Sequence, residues 1–322
     1  MIINIPSKND YQDVGFECLI QAYKNICQID NEELIEGISR DEMWNYNRIV
    51  LKTSIILVHQ GVEALLKSKI SEKSALLLIE QKKSEWKTLP ESDNIDFSDL
   101  FTISGNELIR TFYAIVEPNT YPNEFVIFFE NLRLLRNKLV HGIGDVVINP
   151  EISLNYILNS FTYLYGKNAF WRALKDKFYN HPGQLEDSAK FVFGEYEQYI
   201  HIVYLEALLG KAEMNIHFDV EFKARKYYCP ECTGEGGVLV TGSGEVSEYP
   251  NFKYTFLTPN EPTSTIVKCL ICENSFEIER NDCNKEGCKG NVIYTDEEER
   301  DEITGEVYDE GVKICLTCNE IQ

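Results

Sequence analysis

Basic residues are scarce in this chain. It carries 31 Lys and Arg against 52 Asp and Glu, a formal net charge of −21 over 322 residues. A surface this negative repels nucleic-acid phosphates within about a Debye length, which argues against broad nucleic-acid affinity. Three uses of the charge stay open: solubility, a basic protein partner, or mimicry of nucleic acid. The imbalance is uneven, since residues 229–322 hold 20 acidic and 7 basic side chains, a net of −13. Long apolar runs are lacking too. No stretch approaches the roughly 18 residues of a membrane span. The opening Met1-Ile-Ile-Asn-Ile-Pro-Ser-Lys8 has no basic segment leading into an apolar one, as a secretory signal would. A cytoplasmic protein, away from membranes, is expected. Cysteine is nearly missing from the first 228 residues, which hold Cys18 and Cys27, while eight more follow. In a reducing compartment a disulfide framework fits that cluster poorly.

What is present falls into two parts. Up to about residue 226 apolar positions recur at three- and four-residue spacing, the mark of helices. The clearest run is Thr53 to Lys67. Further helices are expected over Asp13–Gln28, Lys73–Lys87, Gly105–Val116, Asn123–His141, Ser153–Phe178 (as one or two) and Ser188–Leu209. Proline and glycine clusters separate them, at Leu89-Pro90, Glu117-Pro118 to Pro122, Gly142-Ile-Gly144 and His181-Pro-Gly183. Short connections between long amphipathic helices point to an all-α antiparallel bundle. Near Phe218 the character changes. Val220–Tyr228 reads as a lead-in, with a strand as one reading of it. Short β-prone runs then follow at Gly237–Val240, Phe252–Leu257, Ser275–Ile278 and Asn291–Tyr294. The expected organisation is a helical domain over 1–226 and small β-rich units over about 227–275 and 276–322.

Eight cysteines in that second part form four pairs: Cys229-x2-Cys232, Cys269-x2-Cys272, Cys283-x4-Cys288 and Cys315-x2-Cys318. A two-residue spacing lets one tight turn aim two sulfurs at a tetrahedral ion, and four residues still fits. Four thiolates select zinc or, less often, an iron–sulfur cluster. Pairing in chain order gives two structural Zn²⁺ sites on tandem zinc ribbons; a crossed arrangement of first pair with last is the alternative. Such closed sites hold small folds together rather than catalyse. Cys18 and Cys27 lie on the first expected helix and read as buried apolar residues. His217 is close enough in sequence to Cys229 to be a spare ligand. Phe161, Tyr163, Phe170, Trp171 and Phe178 read as core or dimer interface.

The stretch Phe128 to Gly142 carries the candidate chemistry. Leu132, Leu135 and Leu139 share a face that would meet the core. Arg133, Asn137 and His141 stand one turn apart in succession, with Arg136 on the neighbouring line. Gly142 suits the position just past the helix, so His141 ends it. RNA cleavage without a metal needs a base for the 2′-OH proton and an acid for the leaving 5′-oxygen, and histidine serves both near neutral pH. The phosphorane formed on the way carries extra negative charge, which a guanidinium meets bidentately. The alternative is structural: a helix-terminal histidine, and arginines paired with acidic neighbours such as Glu130.

The sequence Leu135-Arg136-Asn137-x3-His141-Gly142, ending a helix within an all-α domain, resembles the HEPN superfamily over at most residues ~50–180. That resemblance implies a helical bundle acting as a homodimer, with Arg136 and His141 as catalytic residues of a metal-independent endoribonuclease and Asn137 as the polar residue beside them. It also implies a toxin or antiviral-defence effector, with an antitoxin or other defence-system protein as partner. Some members place an acidic residue and a lysine on an earlier helix, for which Glu63 and Lys67 are the candidates. His59, one turn before Glu63, would line the same cleft, along with Arg133 and Lys138. RNA is the implied substrate, and the acidic surface suits a narrow one such as a tRNA loop. The family also holds non-catalytic members, so a dimeric module docking a protein partner through acidic ribbons is the second expectation.

Overall fold

A computed structural model describes residues 1–31, 38–80, 82, 94–116, 120–142, 146–179, 187–232, 238–240, 246–248, 253–296, 299–300, 307–309 and 311–322. The chain divides into two compact units, Met1–Leu174 and Lys175–Gln322. The division falls well before the change of sequence character near Phe218, so the last long helix belongs to the second unit.

The first unit is a helical bundle. Its helices are α1 (Lys8–Asn31), α2 (Arg40–Tyr46), α3 (Arg48–Ser74), α4 (Gly105–Ile115), α5 (Asn123–His141) and α6 (Pro150–Tyr165), followed by α7 (Ala169–Tyr179), which runs across the division. A short parallel pair, β1 (Ile2–Ile3) with β2 (Ile95–Asp96), adjoins them. α3 is the hub, packing against α1, α4, α5 and α6. Leu51, Ile55, Val58, Val62, Leu65 and Ile70 are fully buried along it. Contrary to the expectation drawn from apolar runs, α3 with its extension to Leu78 is long and apolar enough by composition to cross a membrane. Many of its apolar side chains, from Leu51 to Ile70, are buried against the surrounding helices, while Ile49, Leu76 and Leu77 are exposed. α1 crosses α3 closely through Gly15 and Gly61, where an added Cβ would lie 2.4 Å from Leu65 Cδ2 and 2.9 Å from Leu19 Cγ, respectively. Phe161, Phe170 and Trp171 are buried in the core; the Phe178 side chain lies outside the described residues.

Two helical expectations change. The helix expected over Lys73–Lys87 is absent from its described part: α3 ends at Ser74, whose extended backbone and hydroxyl start a 3-10 turn over Ala75–Leu78. Ile79 then pairs with Thr102. α2 went unread, although Ser39 and Glu42 form a capping box, with the Ser39 hydroxyl accepting from Glu42 N and the Glu42 carboxylate accepting from Ser39 N. This is a local signature visible in the sequence.

The second unit begins within α7 and contains α8 (Asp187–His217), kinked at Gly210. Its strands are β3 (Val238–Val240), β4 (Val246–Glu248), β5 (Thr255–Leu257), β6 (Ile266–Cys269), β7 (Ser275–Glu277), β8 (Ile293–Thr295), β9 (Glu299–Arg300), β10 (Val307–Asp309), β11 (Lys313–Cys315) and β12 (Glu320–Ile321). β5-β6-β7 and β12-β11-β8 are three-stranded antiparallel sheets, while β3–β4 and β9–β10 are two-stranded antiparallel pairs. Glu206 of α8 accepts from Tyr254 Oη at 2.7 Å and pairs with Lys226, whose ammonium also lies 4.0 Å from the Tyr254 ring centroid. These contacts tie α8 to the β-rich part. Val220–Tyr228 is not a regular strand: within it Tyr227 makes an isolated bridge to Thr255, and Tyr228 N donates to Leu316 O at 2.8 Å.

The two ribbons share one core. Tyr227, Leu257 and Val267 pack in a buried cluster with Ile278, Val292 and Leu316. Glu279 and Ile293 exchange both backbone hydrogen bonds, at 2.8 and 3.0 Å, and so join the two sheets. The expected break near residue 275 is therefore a junction within a continuous body.

Candidate active site and metal centres

α5 forms over the span its sequence predicts. Gly142 closes it in the left-handed conformation, φ 65° and ψ 25°, with its N–H donating to Lys138 O. A side chain resists that conformation, and glycine does not. Leu132 is buried, whereas Leu135 and Leu139 are half-buried. Lys138 and His141 are exposed, with His141 on the last turn.

The two arginines behave differently. Arg133 donates from Nε and Nη2 to Glu130 Oε2, at 3.1 and 2.7 Å, as an ordinary structural pair. Arg136 donates from Nη1 to Asn137 Oδ1 at 3.0 Å. Among the described residues no carboxylate lies within ion-pair distance of Arg136. Its Nε is buried without a hydrogen-bond partner.

Facing these arginines from α3 is His59, which is 4% exposed. Its ring stacks on Phe129 with centroids 6.1 Å apart, and Nδ1 lies 3.9 Å from Glu63 Oε2. Neither ring nitrogen has a hydrogen-bond partner. Burial pushes its pKa below the ordinary histidine value; Glu63 opposes that, and Arg136 and Arg133 add to it. The imidazole is thus held neutral beside two guanidinium groups. Glu63 Oε1 accepts from Gly105 N at 3.1 Å, which satisfies a donor at the start of α4. Lys67 donates to Thr102 Oγ1 at 2.9 Å, and burial lowers its pKa against the pull of Glu63. Glu63 and Lys67 therefore serve the 102–105 segment directly, while His59, Glu63, Arg133 and Arg136 form one electrostatic cluster. A half-buried guanidinium beside a neutral imidazole suits an anion, which would supply the acceptor that Nε lacks. Phe129, Gly105 and Thr102 complete the surroundings. They are apolar, glycine and hydroxyl positions, and the sequence carries no sign of their role.

The cysteines gather as two sets in chain order, Cys229, Cys232, Cys269 and Cys272, and Cys283, Cys288, Cys315 and Cys318. The crossed arrangement is not formed. Sulfur–sulfur distances are 3.7 Å for Cys229–Cys272, 3.8 Å for Cys232–Cys269 and 3.7 Å for Cys283–Cys318. Zn–S bonds of about 2.3 Å place tetrahedral sulfurs about 3.8 Å apart, so both sets match the geometry of such an ion. Backbone amides turn toward the sulfurs: Cys232 N to Cys229, Ile271 N to Cys269, Lys285 N to Cys283 and Gly290 N to Cys288, at 3.3–3.4 Å. Those donors favour thiolate. Within the first set the mutual hydrogen bonds hold Cys269 well below the ordinary thiol value against its burial and push Cys232 and Cys272 above it, so the negative charge gathers on Cys269.

Two neighbours complete these centres. Lys175 of α7 is buried and donates to Ile271 O at 2.8 Å, setting a cation beside the Cys269–Cys272 turn. A Cβ on Gly290 would lie 2.6 Å from Thr317 Cβ and 2.9 Å from Cys315 Sγ. His217 takes no part; it is buried with Nε2 3.3 Å from Glu213 Oε1. Burial raises the pKa of Cys18, and that of Cys27 to about 12, which makes both poor nucleophiles. Neither protein-family models, nor curated proteins, nor solved structures match this chain.

Proposed function

We propose that the first unit is a metal-independent endoribonuclease of HEPN type acting as a homodimer, the effector of a toxin or antiviral-defence system. The observation that carries this reading is Arg136: a guanidinium with one buried, unpartnered N–H and, among the described residues, no carboxylate beside it. A bridging RNA phosphate would supply that acceptor. Asn137 orients the guanidinium, and His141, exposed one turn beyond Asn137, is open to a substrate. In the step itself the 2′-oxygen bonds to phosphorus as its proton passes to one histidine. The bond to the 5′-oxygen then breaks, and that oxygen takes a proton from a second histidine. The products carry 2′,3′-cyclic phosphate and 5′-hydroxyl ends. The dimer supplies the second His141. Ile127, Leu134 and His141 are seven residues apart and exposed, the first two at 62% and 50%, and give α5 an uncovered apolar line leading to the histidine. The two four-cysteine sets hold structural Zn²⁺, consistent with their spacing and amide donors.

The test is cleavage of total and transfer RNA by zinc-loaded protein in Mg²⁺-free buffer lacking chelator, with product ends mapped. Arg136→Ala is expected to lower the rate by roughly 10²–10³-fold. His141→Ala is expected to lower it by roughly 10²–10⁴-fold. Zinc content and helicity should not change in either. Equal cleavage by wild type and both variants would sink the assignment.

A further inference from the structure

The junction between the two ribbons opens into a cleft that the nuclease reading leaves unused. Glu279 and Ile293 form a doubly hydrogen-bonded antiparallel pair. Such pairs recur every two residues, so Glu277 should next pair with Thr295. It does not: β7 pairs with β6, β8 pairs with β11, and no ladder runs between β7 and β8. The outward-facing backbone can be identified by alternation. Ile278 N donates to Thr265 O and Cys269 N to Asn274 O, so Ser275 and Glu277 turn their N–H and C=O away from β6. Asp296 N donates to Val312 O and Leu316 N to Val292 O, so Thr295 turns its own away from β11. The result is an open cleft of about 490 Å³ lined by Ser275, Phe276, Glu277, Glu279, Tyr294 and Thr295, with Ile278 at its base.

The opposite edge of β5-β6-β7 is partly covered, because Tyr227 pairs with β5 through two backbone hydrogen bonds with Thr255. Exposed strand edges accept further strands unless something blocks them. Among the described residues that line this one there is no proline, and Lys313 beside it is paired with Glu279. The walls set the chemistry of the occupant. Phe276 and Tyr294 meet edge to face with centroids 5.7 Å apart, an aromatic floor for aliphatic stems and cations. Glu277 is exposed and has no ion-pair partner among the described residues, whereas Glu279 is held by Lys313. Residues 229–322 carry a net charge of −13.

We propose that this cleft takes an extended, Lys- or Arg-bearing peptide segment of a partner protein as an added strand on β7. Backbone hydrogen bonds to Ser275 and Glu277 supply the register, and Glu277 with the aromatic pair selects basic side chains. This does not depend on the nuclease reading.

The experiment uses the full zinc-loaded chain and an acetylated ten-residue peptide alternating Lys and Val. Binding is followed by titration and by amide hydrogen exchange. The peptide is expected to slow exchange at the Ser275 and Glu277 amides. Methylating alternate peptide nitrogens keeps the charge but removes donors, and should weaken binding by at least about tenfold, as should Glu277→Lys. A Glu–Val peptide should not compete. The proposal is overturned if the N-methylated peptide binds as well as the parent, since charge alone would then suffice. It is equally overturned by absent binding, by protection confined to other strands, or by concentration-dependent protection of the same amides without peptide, which would make the occupant a second copy of this chain.

Discussion

A buried donor without an acceptor costs about 1–3 kcal/mol, and more when it is charged. Arg136 and His59 both bear such atoms, one turn or less from residues of the proposed site. His59 yields a pH prediction of definite sign. Its folded pKa lies below the ordinary 6.5, with burial the largest cause. The unfolded chain therefore binds the extra proton first as pH falls, so bundle stability should decline once pH drops below about 6.5 and continue down to the folded pKa. His59→Gln should flatten that decline in thermal unfolding measured from pH 8 to 5; an unchanged slope would show that other groups set it. At the second metal centre the decisive residue is a glycine. Gly290→Ala places a methyl against Thr317 and Cys315 Sγ. It should lower bound zinc below two ions per chain by elemental analysis while helicity persists, and full retention of metal would mean that the Thr317 side chain yields.

At the scale of elements, α3 and α5 position the anion cluster and α1 fixes α3. Gly15 and Gly61 allow that approach, and neither stands in a turn or at positive φ. Gly61→Ala is expected to cost about 1–3 kcal/mol through overpacking against Leu19 and the Gly15 carbonyl. Denaturant unfolding should show it as a lower midpoint at constant m-value, and an unaltered midpoint would mean that the helices separate without penalty. α5 itself was legible because its apolar spacing, its proline start and its glycine stop agree with one another. The helix expected beyond Lys73 failed because an apolar run, Ala75 to Ile79, fits a 3-10 turn and a bridge as well as it fits a helix.

At the scale of the molecule, the two cysteine sets belong to one cooperative β-rich body. Tyr227 contacts one ribbon through Thr255, and its neighbour Tyr228 contacts the other through Leu316. Removing one metal should therefore loosen both centres. Cys229→Ser is expected to leave less than one zinc per chain and to weaken the hydrogen-exchange protection of β11; retention of one ion with β11 unaffected would make the two halves independent. The helical unit, with its separate core, should keep its far-UV signal in that variant.

The sequence by itself determined the two four-cysteine sets, their grouping in chain order, the span and both ends of α5, and the placing of Arg136 and His141 on its last turns. Those properties depend on spacing within a turn or a helix, and short-range geometry is encoded locally. The tertiary structure decided how the two arginines differ. Glu130 is a local partner for Arg133, but the burial of Arg136 Nε and the approach of His59 depend on how α3 packs on α5. It also decided that the ribbons share a core and split at a strand edge, because pairing between residues distant in sequence sets which backbone groups stay unpaired.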